Sequence, residues 1–127
     1  MPPHPDEIVA RARALIGTRF RPQGRSVADG LDCIGLAALA IGVRDAPRDY
    51  ALRGASIRRL TDELKAAGLS AVDAMAAGDL LVLAPGRAQL HLGVFTGAGL
   101  VHGDAMLRRV VERPLPLPWP AIGIWRF

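Results

Sequence analysis

Three side chains in this sequence have the types and order needed for nucleophilic chemistry: Cys33, His91 and His102. A thiol attacks a carbonyl well only as thiolate, and free cysteine titrates above neutral pH, so a reacting cysteine needs neighbours that lower its pKa. Cys33 stands where Gly30-Leu31-Asp32 gives way to an apolar run ending at Gly42. That junction reads as a helix start with Asp32 at or beside the N-cap, which turns the sulfur toward the unpaired amides of the first turn. Gly30 and Gly35 leave room for a tight turn and for close approach of a substrate or a facing strand. A lone cysteine on an apolar helix is ordinarily a small packing residue. The string Gly30-Leu31-Asp32-Cys33-Ile34-Gly35-Leu36 at a helix start sets this one apart.

His91 lies in Gln89-Leu90-His91-Leu92-Gly93-Val94-Phe95, an alternating strand pattern that gives His91, Gly93 and Phe95 one face and Leu90, Leu92 and Val94 the other. A strand histidine followed by glycine on its own face is expected to meet a helix N-terminus packed on the sheet. His102 ends the next strand, after the Gly97-Ala98-Gly99 turn, so antiparallel pairing brings the two imidazoles together. One then serves as base and the other holds its ring in orientation. His4, in a proline-rich terminus, has no such context and receives no role.

The elements that must hold these groups are legible in outline. Asp6 to Ile16 reads as a first helix, residues 17 to 32 as a loop, Cys33 to Ile41 as a buried helix, and residues 43 to 55 as irregular. Ser56 caps a third helix, Ile57 to Ala67, with Ile57, Leu60 and Leu64 on one face and Gly68 at its end. From Gly78 the pattern changes to strands: Leu80 to Leu83, Leu90 to Phe95, Leu100 to His102, Arg109 to Val111 and Ile122 to Phe127, with turns at Pro85-Gly86 and Gly97-Gly99. The run Pro114-Leu115-Pro116-Leu117-Pro118-Trp119-Pro120 cannot be a central strand, because alternate prolines lack amide donors. It reads as an extended loop, or else as a docking peptide for a proline-reading partner. Helices first and strands after predict an α+β fold, a single domain over residues 1–127.

The totals narrow the class. The chain is half hydrophobic and 22% charged, with a net charge of +4 carried almost wholly by arginine. Acidic partners are favoured, yet no basic cluster is interleaved with stacking aromatics, so nucleic acid is not expected. No apolar run is long enough to span a bilayer, which argues against membrane insertion. Met1-Pro2-Pro3-His4-Pro5 lacks the basic start and apolar core of a secretory signal, so synthesis in the cytoplasm without a signal peptide is expected. One cysteine excludes an internal disulfide and disfavours structural zinc. The expected chemistry needs neither metal nor cofactor.

On these residues the sequence resembles a known family. Asp32-Cys33-Ile34-Gly35-Leu36 is similar to the Asp-Cys-Ser-Gly-Leu motif of the NlpC family of papain-like cell-wall cysteine peptidases. Gly78-Asp79-Leu80 resembles the Gly-Asp-Leu that opens its first core strand, His91-Leu92-Gly93-Val94-Phe95 its His-Val-Gly-Ile-Tyr strand, and Val101-His102 its Ile-His strand. The likeness runs from Ile8 to Phe127. Ile16-Gly17-Thr18, Tyr50 and the closing Ile124-Trp125-Arg126-Phe127 resemble the short phage-tail and gene-transfer-agent branch.

The resemblance implies a papain-like NlpC fold, N-terminal helices packed on an antiparallel sheet of about five strands. It implies Cys33 as nucleophile, His91 as general base and His102 as orienting residue of a thiol hydrolase acting on peptidoglycan stem peptides. Phage-tail or gene-transfer-agent tail proteins are the implied partners, and such a particle would deliver this component to the periplasm or cell wall. The oxyanion and substrate candidates are the backbone of Ile34, with Asp32, Phe20 and Gln23. Two positions depart from the family pattern. Ile34 replaces the motif serine, keeping the amide but not the hydroxyl, and Phe20 stands where the family often has a tyrosine, leaving Gln23 as a substitute donor. These departures motivate a second reading, a weakly active or inactive tail-tip adaptor that keeps the peptidase fold. A third is an acyltransferase or amidase acting on a substrate outside the wall.

Overall fold

The computed structural model describes residues 2–44, 46–48 and 56–127. Tyr50, Gly54 and most of the irregular stretch expected over 43–55 lie outside the described residues. Helix α1 spans Pro5–Ala14, with Pro5 at its start, where a missing amide costs nothing. His4 is its N-cap: Asp6 N–H donates to His4 Nδ1 at 3.1 Å, and Glu7 completes a capping box. The helix stops before the expected Ile16, because Gly17 at φ +93° turns the chain outward and donates its N–H to the Val110 carbonyl. The stretch expected as a loop holds a minimal hairpin, β1 (Arg25–Ser26) and β2 (Gly30–Leu31).

Helix α2 is Cys33–Ile41, and every residue of it except Leu39 is buried. Its alanines allow close packing on all sides, and Gly42 ends it in the left-handed region at φ +80°. Helix α3 is Ile57–Ala66, capped by Ser56, whose Oγ accepts the Arg58 N–H. Leu60 and Leu64 are buried, but Ile57 is about half exposed, since the first turn overhangs the core.

Six antiparallel strands form the main sheet: β3 (Ser70–Ala71), β4 (Leu80–Gly86), β5 (Gln89–Phe95), β6 (Gly99–Asp104), β7 (Arg109–Pro114) and β8 (Ala121–Arg126), in the order β3-β8-β4-β5-β6-β7. The fold is α+β, as expected, and the strand beyond the expected five is the two-residue β3 on the β8 edge. At the other edge, residues 17–20 bond to β7 and the residue before it: Val110 N–H donates to Thr18 O and Phe20 N–H to Arg108 O. A bare edge strand is thereby covered.

Strand alternation divides the core between the two faces. Leu80, Val82, Leu92, Val94, Val101 and Val110 pack with the three helices. Leu81, Leu83, Phe95 and Leu100 form a second cluster under Leu117, Trp119 and Ile124. The proline-rich run is therefore an internal strap across the second face, and its Leu117 and Trp119 are spent on the core of this chain. Ahead of β4, Asp79 is 1% exposed. Its carboxylate accepts both Arg126 Nε–H and Nη2–H at 2.8 Å and the Ala76 N–H at 2.7 Å, so the first and last core strands share one ion pair.

Candidate active site

The first turn of α2 is built by close approach of backbone. A Cβ on Gly35 would overlap the Gly24 carbonyl, and one on Gly24 would overlap the Gly30 carbonyl. Only glycine lets residues 21–31 lie this tightly on the helix start. Asp32 fixes the junction: its Oδ1 accepts the Gly35 N–H at 2.9 Å and Arg25 Nη1–H at 2.6 Å, and its Oδ2 accepts the Gln23 N–H at 2.8 Å. The Arg25 side chain is only 6% exposed and also donates to the Pro47 carbonyl. Asp32 thus has its carboxylate filled by the protein, as cap and counter-ion. With Gly35 capped by Asp32, the amides of Cys33 and Ile34 are the first-turn donors left over.

Cys33 is 9% exposed, inside the cluster of the helical face. The backbone amides of Leu92 and of Cys33 itself lie where they favour the thiolate. Burial nevertheless pushes the thiol up to about 12, and the Asp32 charge works in the same direction. A thiol pKa lowered by the helix start was expected; desolvation of the thiolate outweighs those amides and Arg25 here.

On the other strands the alternation turns out opposite to the expected placement. Leu90, Leu92 and Val94 face α2, whereas His91, Gly93 and Phe95 face the strap. The helix packs on β5 at Leu92, one residue from His91. A gap in the sheet makes this junction. β5 pairs with β6 only at Val94↔Val101 and Phe95↔Leu100, while β6 stays paired with β7 out to Asp104↔Arg109. Beyond Val94 and Val101 the two strands part. On the helical side a Cβ at Gly103 would lie 3.7 Å from Cys33 N and 3.3 Å from the Phe20 ring. The start of α2 therefore sits at the mouth of the gap, against Leu92 of β5 and Gly103 of β6. From the other side the imidazoles bridge the same gap, His91 Nε2 to His102 Nδ1, at 2.9 Å.

Burial holds His91 down at about 4, and the neighbouring His102 adds to this against the opposing pull of Asp104. His102, 1% exposed, is also lowered, by burial first, with Asp104 again opposing. At neutral pH the three groups are a thiol and two uncharged imidazoles. Trp119 caps the pair, its ring centroid 5.4 Å from each imidazole and nearly perpendicular to both. Sequence reasoning did not single out Trp119; its one signal was an aromatic set among prolines just before the last strand.

The remaining sequence candidates are spread around this junction. Ile34 is buried among core residues, so the motif position that carries a serine hydroxyl elsewhere is here a packing side chain. The Phe20 ring lies against Gly103 and offers no donor. Gln23 is exposed at φ 61°, and it is its backbone N–H that is engaged, by Asp32. Among the described residues no group of three or more His, Cys, Asp or Glu side chains is arranged to hold a metal ion. No described helix is long and apolar enough to cross a membrane.

No family model and no curated protein matches this chain. Solved structures do. An NlpC/P60 family protein from Bacillus cereus superposes over 99% of this chain with a TM-score of 0.68 at 24% identity. The chain has the NlpC/P60 fold. It spans 41% of the length of that protein. The NlpC/p60 domain of the peptidoglycan hydrolase SagA matches 88% of this chain and 90% of its own length, with a TM-score of 0.60 at 23% identity. The peptidoglycan hydrolase RipB of Mycobacterium tuberculosis matches 96% of this chain and 63% of its own length, with a TM-score of 0.63 at 22% identity. At these identities the likeness to NlpC/P60 proteins is one of fold.

Proposed function

We propose that this protein is a cysteine peptidase that hydrolyses peptide bonds in peptidoglycan stem peptides, with Cys33 as nucleophile, His91 as general base and His102 as the residue that orients it. The observation that carries this reading is the convergence at one sheet gap: the start of α2 at Cys33 lies against Gly103, the residue after His102, and His102 is bonded to His91 at 2.9 Å. SagA and RipB are peptidoglycan hydrolases of the same fold, which supports the substrate class.

With His91 Nε2 engaged by His102, Nδ1 is the nitrogen left to take a proton. As Sγ attacks the scissile carbonyl carbon, the thiol proton passes to His91 Nδ1 and the carbonyl electron pair moves to oxygen. The free Ile34 N–H in the first turn of α2 stabilises that oxyanion. Collapse breaks the C–N bond, and His91 returns the proton to the leaving amine. Water, deprotonated by His91, then displaces the sulfur from the thioester and restores the thiol. The resting pair is uncharged, so the base is free at neutral pH, but the burial that raises the thiol and lowers His91 opposes the transfer, and charge forms only as the attack proceeds.

Action as a phage-tail or gene-transfer-agent component, delivered by the particle to the periplasm or wall, extends the same proposal. It rests on the resemblance of Ile16-Gly17-Thr18, Tyr50 and Ile124-Trp125-Arg126-Phe127 to that branch. The test of the activity is release of soluble fragments from purified sacculi, read by chromatography and mass spectrometry. Wild type is expected to release stem-peptide fragments and Cys33→Ala to lose roughly a thousandfold or more of that rate; equal release by both would sink the proposal.

A second reading, an adaptor that keeps the fold without turnover, is favoured by one observation, the burial that drives the Cys33 thiol up to about 12. Absence of release from sacculi and from soluble stem peptides by wild type, across pH and with reductant present, would select it.

A further inference from the structure

Three rings meet pairwise edge to face beneath the strap. The centroids of His91 and His102 are 5.0 Å apart at 89°, and Trp119 stands 5.4 Å from each, at 84° and 82°. The trio contains a single conventional hydrogen bond, His91 Nε2 to His102 Nδ1. The other nitrogen of His102, Nε2, is buried and has no hydrogen-bond partner among the described residues; the Gly103 carbonyl, which favours a proton on this ring, is not bonded to that atom. Buried polar nitrogens are ordinarily satisfied, and a ring N–H satisfies itself against an aromatic face where no oxygen is near.

Each neutral imidazole carries one proton, so the orphaned nitrogen decides the state of both rings. With the His102 proton on Nδ1, that proton is donated to His91 Nε2, the His91 proton is driven to Nδ1, and His102 Nε2 keeps a buried lone pair with no donor. With the proton on His102 Nε2, an N–H meets the indole, Nδ1 accepts from His91 Nε2–H, and the lone pair is left on His91 Nδ1. The indole is itself held in place. Arg113 lies over it at 5.6 Å, Pro118 and Pro120 flank it, and the Pro120 carbonyl accepts the Ala84 N–H of β4 at 3.1 Å.

We infer that Trp119 is a positioning residue whose indole face receives the Nε2–H of His102 and thereby fixes both imidazoles in the tautomer that leaves His91 Nδ1 free to accept a proton. The inference rests on the reading of His91 as base only for its catalytic consequence; the tautomers exist whether or not the protein turns over. Long-range nitrogen–proton correlation spectra of the 15N-labelled full chain at pH 7 read them directly. Wild type is expected to show the Nε2–H form for both His91 and His102. Trp119→Phe, which keeps an aromatic face, retains it, and Trp119→Leu shows a mixture of forms. In the sacculus assay Trp119→Leu loses roughly tenfold or more in rate, the kind of loss a wrong histidine tautomer produces, and Trp119→Phe recovers most of it. A wild-type spectrum with His102 protonated on Nδ1 overturns the inference, and needs no variant to fold. So does an unchanged tautomer pair in Trp119→Leu. Tautomers that shift as stated without hydrolysis by wild type overturn the peptidase reading and leave the positioning role standing.

Discussion

At the scale of single residues, the governing effect is burial. An unfolded histidine titrates near 6.5, whereas His91 is held at about 4 in the fold. Between those values the unfolded chain binds more protons, so stability rises with pH there: it is fully present above 6.5 and lost as pH falls toward 4. The contribution is on the order of 3 kcal/mol. Urea unfolding of wild type should show a drop across that window that His91→Gln largely removes; an identical pH dependence in both would contradict it. Cys33 predicts the opposite of an exposed activated thiol. Its alkylation by iodoacetamide should be slower at pH 7 than that of free cysteine and should rise steeply only in strong base, with the modified residue confirmed by peptide mapping. The meeting of His91 and His102 was legible in the sequence because two strand histidines flanked a glycine turn. The thiol pKa was not, because the helix start is visible in sequence while the packing that desolvates the sulfur is not. Trp119 escaped for a related reason: a loop residue gains its meaning from the face it covers.

At the scale of elements, the start of α2 is the joint on which the site depends. Asp32→Ala removes the cap and leaves Arg25 buried without its counter-ion, and should cost about 3 kcal/mol in chemical unfolding; Asp32→Asn, which keeps a capping oxygen, should cost less. Gly35→Ala should cost about 2 kcal/mol, because its methyl would displace the Gly24 carbonyl, which accepts the Asp32 N–H. Neutral values for either variant would mean that the loop does not press on the helix as described. The bounds of α2 were readable to the residue, since an unbroken apolar run lay between a capping aspartate and a left-handed glycine. α1 was read too long because tertiary pairing of residue 17 with β7 overrides helical pattern. β3 was missed because two residues carry no periodicity. Alternation correctly grouped His91 with Gly93 and Phe95, but which group met the helices was decided by the leucines and valines between them, the larger apolar set.

At the scale of the whole molecule, the parting of β5 and β6 beyond Val94 and Val101 gives a helix start and strand side chains of the opposite face a place to meet. The NlpC/P60 fold was legible because the helical run, the cysteine motif and the strand histidines occur in its order, and structural neighbours at 22 to 24% identity share that architecture. The charge of +4 favours binding to the anionic polymer proposed as substrate. Co-sedimentation of Cys33→Ala with purified sacculi should weaken as ionic strength rises from low to physiological, since exposed charges more than about 10 Å apart are screened at 0.1 M salt; salt-independent binding would assign recognition to uncharged contacts. The central claim, that Cys33 attacks a stem-peptide carbonyl, is tested most directly by acid-quenched intact-mass spectrometry during hydrolysis of a soluble stem peptide. An adduct of the acyl fragment on Cys33 in wild type, absent in Cys33→Ala together with product, is the predicted result. Product formation that persists in Cys33→Ala would contradict it.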